Sequence, residues 1–548
     1  MIRVLFKLSC LLALLAGGAC VGTVGDTEKS SAGGATGAAG ANATAGTTGA
    51  AGSLATAGTT GTAGSNDMAG TSGTAGTTGV AGTTGTAGTT GSAGRGGTLG
   101  GAGTTGAAGR GGTTGTAGTT GAAGRGGTTG TAGTGIVTGG GGMGGCTITA
   151  TSTMGTIPTV GIVTFTTTAT SPTAAEIRFG PSANSLTMTA PVDLTKANYR
   201  TLLLGMKGST NYVYRILVTS SAGTCTSQDY TFMTGAVPSS VPKPTVTISN
   251  ASAHAKGFIV TSSGLSGTGA YIYDSDGAPV WWATGPTGVS RIQMSWDGSK
   301  MYMTSLNVQN SGGQVKIVDM DGSNATTVSG LTTAHHDLTA IPGGFATVTW
   351  TTTGMDVPCS LIERADDGTM KTVIANMNTV YNSNTWHTNS LHYYPSDNTY
   401  TLGDRNPNMY VKVSRTGQLI WQLGGSNPKD QSKFFSGTGT WSVNHGHHLL
   451  PDGTFYLFNN GQSGGSTIRG FKLNTTNMTA TSSFTYTGFT STVLGDVQAL
   501  PNGNILVTAS TSGTIIEVTT GSQVVANFKW SALGYSEYRD SLYGPPPR

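Results

Sequence analysis

The chain has 548 residues, 89 of them glycine, and only 9% carry charge. A formal net charge of +4 is small for this length, and no Lys/Arg cluster marks a nucleic-acid surface, which excludes that class of partner. Length alone predicts two to four domains, but composition narrows where they lie.

Residues 1–20 read as a secretory signal. Arg3 and Lys7 precede an apolar run from Leu8 to Ala16, too short to span a bilayer, and small residues lead to Cys20. Cys20 directly after Gly-Gly-Ala resembles a bacterial lipoprotein acceptor, although Gly17 stands where a larger aliphatic residue is usual. Lipidation of Cys20 and plain cleavage both fit. The chain is therefore expected to be exported, to the periplasm or as a lipoprotein of the outer membrane or cell surface of a bacterium. Residues 21–145 are almost wholly Gly, Ala and Thr, in recurring phrases such as AGTTGTAGTTG. With almost no large apolar side chain, this tract cannot offset the entropy of ordering, so a disordered tether is predicted.

Residues 146–236 show short alternating strands about ten residues apart with Ser/Gly/Asn turns, the pattern of a small β-sandwich. Cys146 and Cys225 bracket this segment and could pair in an oxidising compartment, which leaves Cys359 as a buried small side chain. The phrase TNYVYRILVTSSAG…SQDYTFMTG resembles the last strands of fibronectin type III domains. Residues 237–244, VPSSVPKP, read as a stiff linker.

Residues 245–548 repeat themselves. HHDLTAIPGGFATVTW, HTNSLHYYPSDNTYTLGD, HGHHLLPDGTFYLFNN and GDVQALPNGNILVTAS each hold a strand, a turn and a second strand. Their turn prolines, Pro342, Pro395, Pro451 and Pro501, are 53, 56 and 50 residues apart. SRIQMSWDGSKMYMTS is a fifth copy without the proline. About fifty residues per unit, four strands each and no helical period predict a β-propeller. The count gives six blades, with five or seven left open. The fold class is thus all-β: a six-bladed propeller preceded by a sandwich and a tether.

Seven of the eight histidines fall between His335 and His448. His336 and His445 each lie six residues before their turn proline, and His387 lies eight before its own. Equivalent positions of successive blades converge on the mouth of a propeller, so these three should meet there. By strand alternation His447 could also face inward, while His335 and His448 should turn away. The six-before position of the next blade is Gly495, which would leave room for a ligand; that of the earlier blade is Ser290, beside Arg291. Three convergent imidazoles can bind Zn²⁺ with an open fourth position, or supply a nucleophile and acid/base groups, or simply satisfy backbone groups on half-exposed strands. Arg405, eighteen residues after His387, would repel a metal and suit a tetrahedral oxyanion. No His-Glu-x-x-His motif is present.

At this point the phrases carry a family likeness. HHDLTAIPGG, WHTNSLHYYPSDNTYTLGDRNPNMYVKVSRTGQLIWQLGG, NHGHHLLPDGTFYLFNNG and GDVQALPNGNILVTAS, in this order, resemble the bacterial arylsulfate sulfotransferases over most of 245–548. The resemblance implies transfer of a sulfuryl group from an aryl sulfate donor to a phenolic acceptor, without nucleotide, metal or other cofactor, through a sulfo-histidine. It implies His445 as the nucleophile, with His336, His387 and Arg405 as catalytic groups that also bind the sulfate oxygens. Asn389 of the His-x-Asn-Ser strand, and His447, are added as substrate-binding candidates. Asn444 stands where the family has Gln, Gly446 where it has Asp, and Phe458-Asn459-Asn460-Gly461 has Asn where Asp is usual. A non-catalytic surface propeller that binds anionic or aromatic ligands, and a metal-dependent hydrolase, are the alternative readings.

Overall fold

A computed structural model describes residues 146–308, 312–352, 354, 356–461 and 465–546. The signal segment, Cys20 and the Gly/Ala/Thr tract lie outside the described residues. The described chain is all-β, with antiparallel sheets and three short 3₁₀ turns but no α-helix, and none of its helices is long and apolar enough to cross a membrane.

Residues 146–236 form a three-stranded and a five-stranded antiparallel sheet. Ile148, Val163, Phe165 and Leu203 from one sheet share a core with Ile177, Phe179, Tyr214 and Phe232 from the other. The burial pattern of Asn211–Ser220 alternates nearly strictly, as a strand with one buried face requires. Cys146 and Cys225 are joined by a disulfide, and Cys359 is a buried free thiol. The sandwich packs on the C-terminal sheets: Ile157, Val160 and Leu204 share a core with Val280 and Trp281, Arg200 pairs with Asp321, and Tyr543 Oη accepts from Leu204 N at 2.8 Å.

The remainder forms six sheets of four or five strands. Their leading strands are Val289–Met294, Ala334–Ile341, Thr388–Tyr394, Asn444–Leu449 and Asp496–Ala499, with Ser536–Arg539 at the edge of the sixth sheet. Each of these strands packs on the next in that order, and Ser536–Arg539 packs on Val289–Met294. Every residue of Ala334–Ile341, Thr388–Tyr394 and Asn444–Leu449 is buried, whereas the outer strands Met370–Ile374 and Thr479–Phe489 are largely exposed. Strands walled in on both faces lose the alternation of a half-exposed strand, so their polar residues must find protein partners. The turns behind the leading strands use Gly453 (φ 83°) and Gly503 (φ 85°), a left-handed conformation that L-side chains rarely adopt.

Two seams join distant parts of the chain. Phe258–Ser262 pairs with Ser536–Arg539, and Thr245–Ile248 pairs with Val524–Lys529. Four leading strands carry a ladder irregularity at their early end, at Val289/Arg291, Ala334/Leu338, Thr388/Ser390 and Asn444/His447. His336 sits within the second of these irregularities with φ 56°, a backbone strain for a non-glycine residue at a site of interest.

Candidate active site

The irregular ends of three leading strands carry His336, His387 and His445, and the turn after Thr399–Asp404 carries Arg405. His336 Nε2 lies 3.1 Å from His387 Nε2. Arg405 N donates to His387 O at 3.3 Å. His445 feels the charge of Arg405 and the ring of His387, and His336 feels both His445 and Arg405. The structure therefore brings these four together.

The state of His445 is set by its neighbour. Asn460 Nδ2 donates to Ser491 O at 2.6 Å and to Leu494 O at 2.7 Å, which fixes the orientation of that amide. Its Oδ1 must then accept from His445 Nδ1 at 2.6 Å. A neutral His445 therefore carries its proton on Nδ1 and a lone pair on Nε2. Burial, helped by the Arg405 charge, pushes its pKa down to about 3, so it is neutral across the ordinary pH range. Asn460 escaped sequence reasoning, but hairpin arithmetic could have found it: Asn444 pairs with Asn459, which places Asn460 against the start of the same strand.

His387 Nδ1 is 2.9 Å from Asp356 Oδ1, and Asp404 accepts from its backbone N at 2.8 Å. Asp356 lies on a loop of the preceding sheet, and no repeat position pointed to it. Arg405 is more isolated. Its Nε is buried without a hydrogen-bond partner among the described residues, and burial lowers its proton affinity. The charges of Asp356 and Asp404 offset only part of that desolvation, and an anion at Nε would relieve the rest.

Gly446, which stands where an acid is usual, is explained by the next sheet. A Cβ at 446 would lie 2.0 Å from Asp496 Oδ1 and 2.7 Å from Asp496 Cα. The Asp496 carboxylate thus fills the space beside Gly446, where it pairs with Arg291 at 2.7 Å. Arg291 is 2% exposed, also pairs with Asp337 at 2.7 Å, and lies 4.4 Å from the Tyr535 ring centre. That ring is in turn 6.5 Å from His445.

Other sequence candidates sit elsewhere. His447 does not reach the site: its Nδ1 is 2.9 Å from Ser390 Oγ and its Nε2 2.6 Å from Thr401 Oγ1. The irregularity between Asn444 and His447 breaks the alternation that had put it beside His445. Gly495 leaves no ligand space, because a Cβ there would meet the Phe458 ring at 2.5 Å. Ser290 Oγ donates to His336 O at 2.6 Å and so supports the backbone of the site. Asn389 Nδ2 donates to Asn444 O at 2.8 Å, and its Oδ1 is buried without a partner among the described residues. His335 stacks on Trp350 with ring centres 3.9 Å apart and lies behind His336, its Nδ1 2.8 Å from His336 Nδ1. A cavity of about 740 Å³ is walled by Trp386 and Pro407, chain neighbours of His387 and Arg405, and by the amides of Asn378, Asn382 and Gln422.

Among the described residues no His/Cys/Asp/Glu group has the arrangement of a metal site. What the cluster offers is a neutral imidazole with a directed lone pair, a buried guanidinium, and two further imidazoles.

Residues 351–530 match a family model described as Arylsulfotransferase (ASST), and the match supports a place in the arylsulfotransferase family. No curated protein matches the chain. Solved structures resemble it weakly. TolB from Acinetobacter baumannii is 10% identical, with 61% of this chain and 80% of that one covered and a TM-score of 0.36. A functionally unknown protein from Desulfotomaculum acetoxidans is 12% identical, with 59% and 95% covered and a TM-score of 0.36. A protein of unknown function from Bacteroides caccae is 12% identical, with 52% and 98% covered and a TM-score of 0.35. At such scores these likenesses carry no argument about function.

Proposed function

We propose that this chain is an aryl sulfotransferase that moves a sulfuryl group from an aryl sulfate to a phenol through a covalent intermediate on His445. In the first half-reaction His445 Nε2 attacks sulfur, the bond from sulfur to the aryl oxygen breaks, and a phenolate leaves. In the second, the acceptor oxygen attacks sulfur, its proton passes to water or to the phenolate released before, the bond from nitrogen to sulfur breaks, and the lone pair returns to Nε2. The phenolate is a tolerable leaving group because phenols ionise near pH ~10. Arg405 and the imidazoles of His336 and His387 would stabilise charge on the sulfuryl oxygens, each donor worth on the order of 2.7–4 kcal/mol by comparison with oxyanion-hole donors. Asn389 Oδ1, an unpartnered acceptor among the described residues, suits the hydroxyl of the incoming phenol.

The observation that carries this reading is the pairing of a bare His445 Nε2, directed by Asn460, with a buried Arg405 that lacks a hydrogen-bond partner at Nε. A nucleophile beside an anion-seeking cation fits transfer of a charged tetrahedral group. The test is release of nitrophenol from 4-nitrophenyl sulfate by the purified protein. Release that depends on an added phenol, with ping-pong kinetics, is expected; no acceptor-dependent release between pH 6 and 9 would overturn the reading.

We read the six sheets as the blades of a six-bladed propeller, with the leading strands lining its axis, and residues 146–236 as a fibronectin type III-like spacer. We further propose export, with a lipid on Cys20 holding the propeller away from a membrane by the Gly/Ala/Thr tether. Mass spectrometry of the mature N-terminus tests this: an unmodified Cys20 would remove the anchor.

A further inference from the structure

Four side chains behind His387 form one continuous run with it. Cys359 Sγ is 3.4 Å from His335 Nε2, and His335 Nδ1 is 2.8 Å from His336 Nδ1. His336 Nε2 is 3.1 Å from His387 Nε2, and His387 Nδ1 is 2.9 Å from Asp356 Oδ1. Each contact between two ring nitrogens needs one N–H and one lone pair, and a neutral imidazole has one of each. The direction at one contact therefore sets the direction at the next.

Asp356 fixes that direction. Burial, the largest single influence, raises its pKa, but the His387 hydrogen bond and charge, the Asn406 hydrogen bond and the Arg405 charge together outweigh it and the net shift is downward, so it is a carboxylate that only accepts. His387 then carries its proton on Nδ1 and has a bare Nε2. His336 must donate from Nε2 and has a bare Nδ1. His335 must donate from Nδ1 and has a bare Nε2, which the Cys359 thiol covers. Burial keeps all three rings neutral and the thiol protonated. Val357 O is farther from the thiol, at 3.8 Å, and Thr388 meets the sulfur with its backbone and its hydroxyl. The Trp350 stack fixes the plane of His335.

We propose that Cys359 and His335 are positioning residues: the thiol, donating to His335 Nε2, directs the same proton run from the end opposite Asp356, and either end keeps His336 as an Nε2–H donor with a bare Nδ1. Its consequence for binding rests on the sulfuryl-transfer reading. The resting pair holds one imidazole proton at this contact, not two, and an anion takes it only in competition with His387 Nε2. A second donor arises only when His387 takes up a proton, and Asp356 stands on its far nitrogen to support the imidazolium. The groups facing His387 are Asp356, His336, Arg405 and His445, with Trp350 at 5.6 Å and Asp404 on its backbone N.

The experiment is ¹⁵N NMR of the full chain labelled at histidine, with and without inorganic sulfate. Without sulfate, His336 should show a lone-pair Nδ1 and a protonated Nε2, and His387 the reverse. With saturating sulfate, His387 should become doubly protonated while His336 stays as it was. Cys359→Ala or Asp356→Asn alone should leave His336 as it is, because the other end still directs the run; the two together should let an Nδ1–H signal appear at His336, and Cys359→Ser in place of Cys359→Ala, which restores a donor, should suppress it. An Nδ1–H at His336 in the unsubstituted protein or in either single variant, or an unchanged His336 in the double variant, would overturn the proposal. Failure of sulfate to bind, with the sulfate-free pattern intact, would instead count against the sulfuryl-transfer reading.

Discussion

Gly446→Ala probes whether Asp496 has replaced a carboxylate at 446. The added methyl would stand 2.0 Å from Asp496 Oδ1, against a floor of 3.0 Å for real contacts. Because Asp496 Cα is only 2.7 Å away, a side-chain rotation cannot clear the space and backbone must move. Overpacking of this kind costs about 1–3 kcal/mol. Drawing Asp496 off Arg291 breaks a buried ion pair, which costs about 3–5 kcal/mol. Arg291 keeps Asp337, so the expected loss is near the bottom of the sum, about 4 kcal/mol. That corresponds to a fall in Tm of about 6 °C for a unit of roughly 300 residues. Turnover should drop with it, since Gly446 adjoins His445. The assay is thermal unfolding by tryptophan fluorescence, paired with nitrophenol release. Moving the carboxylate, with Gly446→Asp combined with Asp496→Gly, should recover most of the lost Tm. If Gly446→Ala keeps both its Tm and its turnover, the reasoning about Asp496 is wrong.

The same geometry gives three further expected outcomes. His445→Asn should abolish acceptor-dependent turnover and remove the sulfo adduct seen by intact mass after mixing with donor; an adduct that persists would move the nucleophile elsewhere. Protonation would take away the Nε2 lone pair, and the pKa of His445 is pushed down to about 3, so no loss of nucleophile is expected as pH falls from 8 to 5; an acid limb near pH 6.5 that His445 itself causes would contradict this. Reduction of Cys146–Cys225 should destabilise the sandwich by about 2–5 kcal/mol, read as an earlier urea transition, while nitrophenol turnover stays within twofold.

The repeat register carried a good deal of the site. Counting back from Pro342, Pro395 and Pro451 picks out His336, His387 and His445 because leading strands of similar sheets begin at similar offsets. Alternation carried less. It placed His447 beside His445, and that fails at a ladder irregularity that no residue pattern announces. The meaning of Gly446 and Gly495 was also hidden. Each lacks a side chain because a group from elsewhere, the Asp496 carboxylate in one case and the Phe458 ring in the other, already fills the space. Such swaps between sheets are visible only when the sheets are in place. Asp356 and Cys359 were illegible for a related reason: they act through neighbours distant along the chain.

The seam between Phe258–Ser262 and Ser536–Arg539 joins residues as far apart as Phe258 and Arg539. Thr245–Ile248 waits likewise for Val524–Lys529. During synthesis both early strands would emerge with bare edges and stay so until more than two hundred further residues had been made. Pairings of such high sequence separation form slowly, and unpaired edges invite contact with other chains. Folding speed and yield should therefore depend on the last strands more than on any single sheet, and chaperone demand should peak just before Ser536–Arg539 becomes available.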